Sequence, residues 1–347
     1  VPPRLTAVIC TYSRYHVLRD AIASLQAQQL NHGLIEIIVV DNSADQAAAA
    51  AFGAAYAAAP NFRYICEPVV GLSNARNIGI AQATAPVVAF IDDDAVAGAG
   101  WAQAALDGFA AFGPQAGAVG GPVRPRWGCA RPAWLGDDLL SSLALIDWGA
   151  SLHETLPSRG IVGCNMALDR ALALALGGFS GKLGRSGPEL TLLSNEESAL
   201  FKRIQEAGRA IVYAPAAAVE HVIDPSRLTQ TWFRRRAAWQ AVSDFMMEPG
   251  AYSAYAAGTA KRLKAAGPEA GEPDSAAAFS ASFWVTYYAT ITALAGGALP
   301  LAPTPGWGLR WRAAVLKGRL FSLTQQQPQM ARLGRLGLRS YRRLTGR

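Results

Sequence analysis

Over the first two hundred residues the apolar pattern switches between two periods. Short, mostly apolar runs at 5–11, 35–40 and 87–91 have the length and β-branched content of buried strands, and 62–66 is a shorter one. Between them apolar residues recur at helical spacing. Val17, Leu18, Ile22 and Leu25 mark a helix over 15–29, an Ala-rich helix follows over 47–59, and a third covers 72–81. Strand and helix alternate, and the strands are apolar on both faces. That order predicts an α/β fold with a mostly parallel sheet flanked by helices.

After residue 100 the pattern changes. A helix is predicted over 100–112, then a strand running into a Gly/Pro-rich loop over 116–127. Residues 126–147 are rich in Trp and Pro and read as an irregular substrate loop. A strand passing into a helix fits 160–179. Residues 194–208 form a strong helix, with Ser194 or Asn195 as N-cap, acids in the first turn and Gly208 at its end. A strand pair covers 210–222. From Pro225 onward the pattern is helical and increasingly basic, with a linker at 267–278, and no internal repeat is visible. The division expected is a catalytic domain over 1–225 and a mainly helical, basic C-terminal region over 226–347.

Charge sharpens that division. The net +7 splits into +10 from Arg310 onward, where no acid occurs, and −3 before it. The chain reads as a near-neutral body with a basic tail. With 347 residues, 51% of them hydrophobic, it can build one large core and a smaller one. The four cysteines are widely spaced without a CxxC pair, so Cys10 and Cys66 read as reduced, buried thiols, and a structural zinc site is not expected. The first residues enter a strand without a basic and apolar leader, so no secretory signal is expected. Residues 279–301 approach a membrane span in length, but their hydroxyls, Gly296, Gly297 and Pro300 favour a packed amphipathic helix; a spanning helix is the alternative.

The candidate chemistry lies at strand ends. Asp92, Asp93 and Asp94 close the run 87–91. Charges at the edge of a core are costly unless paired or bound to a metal. Hard divalent cations sit between one or two carboxylates and a substrate's phosphates. A solvated acidic turn is the plain alternative. Asp41 ends the second strand, and ligands of open α/β sheets bind beyond such ends. An Asx turn would also explain Asp41.

Seven segments, AVICTYSR, IIVVDNS, GLSNARNIGIAQA, VVAFIDDDA, GCNMALDR, GGFSGKLGR and LLSNEESALFKRIQEAG, occur in order over residues 4–240. Together they resemble the family 2 glycosyltransferases with a GT-A fold. The resemblance implies a Rossmann-like sheet with a C-terminal helical extension. It also implies inverting transfer of a sugar from a nucleotide-diphosphate donor, most often a UDP-sugar, with Mn²⁺ or Mg²⁺. Asp94 would be the metal ligand of the DxD-type motif, with His221 reaching the metal or diphosphate. Asp92 would face the ribose or base, Asp93 would support it, and Asp41 would accept a hydrogen bond from the base. Thr11, Tyr12 and Arg14 would cradle the nucleoside, and Arg76 would contact the ribose or diphosphate. Glu197 matches the general-base position, although the family's usual Glu-Asp pair is Glu-Glu here, which leaves Glu196 as the other candidate. Asn165 and Met166 would lie on the acceptor side.

Arg234, Arg235 and Arg236 could clamp phosphates or form a solvated face, and Trp127, Trp134 and Trp148 could stack on sugars or fill a core. The expected acceptor is a saccharide or lipid-linked glycan. The basic C-terminal region suits peripheral contact with an anionic membrane, placing the protein in the cytoplasm or at the inner membrane face; no nucleic acid is expected. Two rival classes are a sugar-phosphate nucleotidyltransferase and a non-catalytic glycan-binding protein on the same fold. The first would carry a Gly-rich basic loop after the first strand, where TYSRYH stands instead.

Overall fold

The computed structural model describes residues 2–156, 159–186, 192–248 and 275–295. Four parallel strands form one half of an eight-stranded sheet: β1 (Pro3–Thr11), β2 (Leu34–Asp41), β3 (Phe62–Cys66) and β4 (Val87–Asp92). They are joined by helices α1 (Tyr15–Gln26), α2 (Gln46–Ala54) and α3 (Leu72–Gln82). Helices cover both faces, so residues 5–9 of β1 and 87–91 of β4 are buried in succession, which is why these strands read as mostly apolar runs. Gly79 lets α3 lie directly on β1: a Cβ there would stand 2.6 Å from Val8 Cγ1.

The chain then continues through β5 (Ala95–Ala97), α4 (Trp101–Phe112), β6 (Ala116–Gly120), β7 (Val123–Trp127), β8 (His153–Glu154), β9 (Asn165–Asp169) and α5 (Arg170–Ala175). It goes on through α6 (Glu196–Glu206), β10 (Ala210–Tyr213) and β11 (Val219–Ile223). The main sheet runs β3-β2-β1-β4-β9-β6-β10-β8. Strand β9 inserts antiparallel between β4 and β6, while β10 is parallel to β6. Strands β5, β11 and β7 make a separate three-stranded sheet. The mostly parallel sheet with flanking helices is the architecture the sequence implies.

Three local differences have physical causes. Helix α2 stops at Ala54 rather than 59, because Ala55, Tyr56 and Ala57 switch to tighter i→i−3 bonds ahead of Pro60. Helix α6 is not capped by Ser194 or Asn195 in the expected way: Asn195 adopts left-handed φ 73° and its side chain makes no capping bond. The segment read as irregular, 126–147, contains the end of β7 and a 3₁₀ helix, Asp137–Leu143.

The described chain falls into two compact units. One comprises Val1–Gly128, Leu143–Pro188 and Asn195–Asp224, and holds both sheets. The other comprises Cys129–Ser142, Glu189–Ser194 and Pro225–Arg347, so two short segments before residue 225 group with the C-terminal region. In this second unit α7 (Gln230–Met247) packs on α8 (Ala276–Ala295). Trp134 meets Phe233 and Phe279 edge-on, Arg234 Nε donates to Ser282 Oγ at 3.2 Å, and Tyr287 donates to Asp244 at 2.5 Å. Arg236 donates to Gln240 at 2.7 Å. Trp134 and Arg234 therefore join elements of this unit, while Arg236 bonds along α7. Among the described residues, no helix is long and apolar enough to cross a membrane. Residues 296–301, and the basic residues from Arg310 on, lie outside the described residues.

Candidate functional site

Strand register assembles the site. Thr11 pairs with Asp41, and Cys10 pairs with Asp92, so the parallel strands end level and bring their acids to one edge. Arg14, at the start of α1, forks across the acidic turn. Its Nη1 donates to Asp93 Oδ1 and its Nη2 to Asp94 Oδ2, each at 2.7 Å. Thr11 Oγ1 donates to Asp93 Oδ2 at 2.7 Å. Burial pushes the Asp93 carboxyl up to about 7; the Arg14 charge opposes this and Asp94 adds to it. Tyr12 stands exposed beside this group.

His221, on β11, points at the same turn. Its Nε2 lies 3.3 Å from Asp94 Oδ1, and Val222 N donates to Asp94 O at 2.8 Å. Its Nδ1 lies 2.9 Å from Leu143 O, a carbonyl that can only accept. Nδ1–H therefore donates there, and Nε2 faces Asp94 Oδ1. A buried nitrogen and a buried carboxylate oxygen thus stand side by side, a pair that a proton or a cation can bridge. Among the described residues, no three His, Cys, Asp or Glu side chains gather as a ready-made metal cage. The chain offers two adjacent donors, one oxygen and one nitrogen, which suits a cation whose other ligands come from phosphates and water.

Opposite the acids, the first turn of α6 carries Glu196 and Glu197. Arg76, from α3, donates to Glu196 Oε1 at 2.7 Å and to Gly163 O at 3.2 Å, and lies 3.5 Å from Asp92 Oδ1. Burial and the neighbouring Glu197 push the Glu196 carboxyl up to about 7 against the pull of Arg76. Glu197 is half-buried, and its Oε2 has no hydrogen-bond partner among the described residues. Asp92 keeps a third of its side chain exposed.

Other expected residues sit deeper. Asp41 is wholly buried, and its carboxylate accepts from Tyr64 OH at 2.6 Å, Tyr15 OH at 3.0 Å, Ser43 N at 3.0 Å and Ser43 Oγ. Those four donors fill its acceptor positions. Asn165 is also buried: Trp101 Nε1 donates to its Oδ1 at 2.8 Å, and its Nδ2 donates to Ala217 O at 2.8 Å. Met166 lies in the hydrophobic core, so neither residue of that pair presents its side chain to solvent. Trp148 donates from Nε1 to Gly160 O at 2.9 Å. All four cysteines are free thiols, with Cys129 exposed, Cys164 buried and Cys10 and Cys66 half-buried. Burial pushes the Cys10 thiol up to about 12, so it stays protonated beneath Arg76.

The sequence did not point to Tyr15, Tyr64, Ser43 or Gly163. Each reads locally as an ordinary core or loop residue, and the signal lies only in the pairing across strands.

The sequence model of Glycosyl transferase family 2 matches residues 6–137. The chain is 28% identical over 254 residues to a glucosyl-dolichyl phosphate glucuronosyltransferase of Haloferax volcanii, covering 71% of this chain and 77% of that one. It is 29% identical over 237 residues to the succinoglycan biosynthesis protein ExoM of Rhizobium meliloti, covering 66% of this chain and 70% of that one. In three dimensions it resembles the mannosyltransferase PcManGT of Pyrobaculum calidifontis, solved with GDP-Man and Mn²⁺, at TM-score 0.50 and 18% identity, over 94% of this chain and 87% of that one. The fold is GT-A, and over residues 6–137 the chain is similar in sequence to the family 2 glycosyltransferases.

Proposed function

We propose that this enzyme moves a hexose or hexose derivative from a UDP-sugar to a saccharide or lipid-linked acceptor, with inversion, and that Glu197 is the base. The observation that carries the assignment is the asymmetry of the two acids opening α6. Glu196 is buried and its Oε1 is held by Arg76, while Glu197 is half-buried; the Oε2 of each lacks a hydrogen-bond partner among the described residues. The acceptor oxygen attacks the anomeric carbon from the face opposite the diphosphate. Glu197 takes the hydroxyl proton, and the bond to the diphosphate breaks with its electron pair leaving on the diphosphate oxygen.

Asp94 and His221 would hold Mn²⁺ or Mg²⁺, which when bound neutralises charge developing on the leaving diphosphate. Asp92, Asp93, Thr11, Tyr12 and Arg14 would line the donor side, with Asp41 anchoring that wall through Tyr15 and Tyr64. The name of the Haloferax relative gives glucosyl-dolichyl phosphate, which supports a lipid-linked acceptor. The basic residues from Arg310 on would then bring the enzyme to an anionic bilayer face.

The test is turnover on a panel of UDP-, GDP- and dTDP-sugars with Mn²⁺, followed by NMR of the product's anomeric centre. The reading expects a UDP-sugar as best donor and an inverted linkage. A retained configuration would overturn the single-displacement mechanism.

A further inference from the structure

Arg76 is only 3% exposed, and that burial needs an explanation. A guanidinium taken out of water is costly unless its charge and its N–H groups are matched. Here they are matched by protein. Glu196 supplies a 2.7 Å ion pair, Gly163 O accepts at 3.2 Å, Asp92 Oδ1 lies at 3.5 Å, and the guanidinium sits 5.4 Å from the centre of the Phe179 ring. These partners come from the start of α6, the loop before β9, the end of β4 and the loop after α5. The ion pair to Glu196 ties the first turn of α6 to α3.

The space for this contact is built into the chain. A Cβ at Gly163 would stand 2.8 Å from Arg76 Nη2 and 3.2 Å from Nη1, so a side chain there would push the guanidinium away.

We propose that Arg76 is a positioning residue for the transfer step: through Glu196 it sets the first turn of α6, and so the Glu197 carboxylate, relative to Asp92 at the donor edge. It acts on catalysis without touching the donor. The inference rests on the reading of Glu197 as base.

The experiment uses the full chain and four variants: Arg76→Lys, Arg76→Met, Gly163→Ala and Glu196→Gln. Far-UV circular dichroism confirms folding, titration calorimetry with UDP and Mn²⁺ gives nucleotide affinity, and steady-state kinetics uses the best donor of the panel. Misplacing a reacting group by about 1 Å costs about 10²-fold. The expected result is a kcat lower by about that factor in Arg76→Met, partial recovery in Arg76→Lys, and a smaller loss in Gly163→Ala, which keeps every charge. UDP affinity and donor KM stay within about twofold throughout. If Arg76→Met does not fold, the kcat-against-KM split in Gly163→Ala and Glu196→Gln decides. A weakening of UDP affinity by tenfold or more, tracking the loss of kcat/KM, would overturn the inference in favour of direct donor contact. An unchanged kcat in the folded variants would overturn it as well. Failure of the base assignment shows separately, as full turnover in Glu197→Gln with Arg76 intact.

Discussion

Tyr64, on β3, donates its hydroxyl to the Asp41 carboxylate at 2.6 Å, so the acid ending one strand is held by the strand beside it. The bond is charge-assisted, and burial together with Asp41 holds the Tyr64 hydroxyl well above the ordinary phenol range. Tyr64→Phe keeps the ring and removes the donor. It should cost about 1.5–3 kcal/mol, the range for a hydrogen bond to a charged group. Denaturant unfolding of the two proteins measures this, with the m-value expected to be unchanged.

Arg14 neutralises two of three consecutive carboxylates. Arg14→Met should lower the melting temperature in chelator, because Asp93 and Asp94 lose their shared partner. Added Mn²⁺ should then raise it more in the variant than in the wild type, since the cation no longer competes with a guanidinium for Asp94. Thermal scans with EDTA and with Mn²⁺ check both signs. An equal Mn²⁺ shift in the two proteins would count against a cation at Asp94.

Glu36 carries a pH-dependent share of stability away from the site. Burial alone would raise its carboxyl, but hydrogen bonds from Thr6 and Thr84 and the Arg63 charge outweigh burial and hold it below the usual carboxylate range. A depressed carboxyl stabilises the fold above its unfolded value, and that share is lost as pH falls through its lower, folded value. Glu36→Gln should therefore be less stable than wild type at pH 7 by about 1–3 kcal/mol. The gap should close as pH falls below the ordinary carboxylate range. Unfolding free energies of both proteins from pH 7 to pH 3 give the curve.

The strands ending in Asp41 and Asp92 were legible because both their faces are buried, which leaves apolar runs over 37–40 and 87–91 with an acid where each stops. Strand β9 was read as a strand, but its antiparallel direction between β4 and β6 was not, since an apolar run looks alike in either direction. Strand β5 has three residues, too few for a period. The ion pair of Arg76 with Glu196 spans 120 positions, and the roles of Tyr15 and Tyr64 at Asp41 depend on strand neighbours. Asn195 looked like a helix cap because Asn serves both as N-cap and in left-handed turns; the backbone takes the second use.

The most direct measurement compares Glu196→Gln and Glu197→Gln with saturating donor and acceptor, alongside calorimetric binding of UDP with Mn²⁺. The account predicts that Glu197→Gln keeps UDP affinity within about twofold and loses about 10²–10⁴-fold in kcat, the range for general-base catalysis, while Glu196→Gln loses less. Undiminished transfer by Glu197→Gln would contradict it.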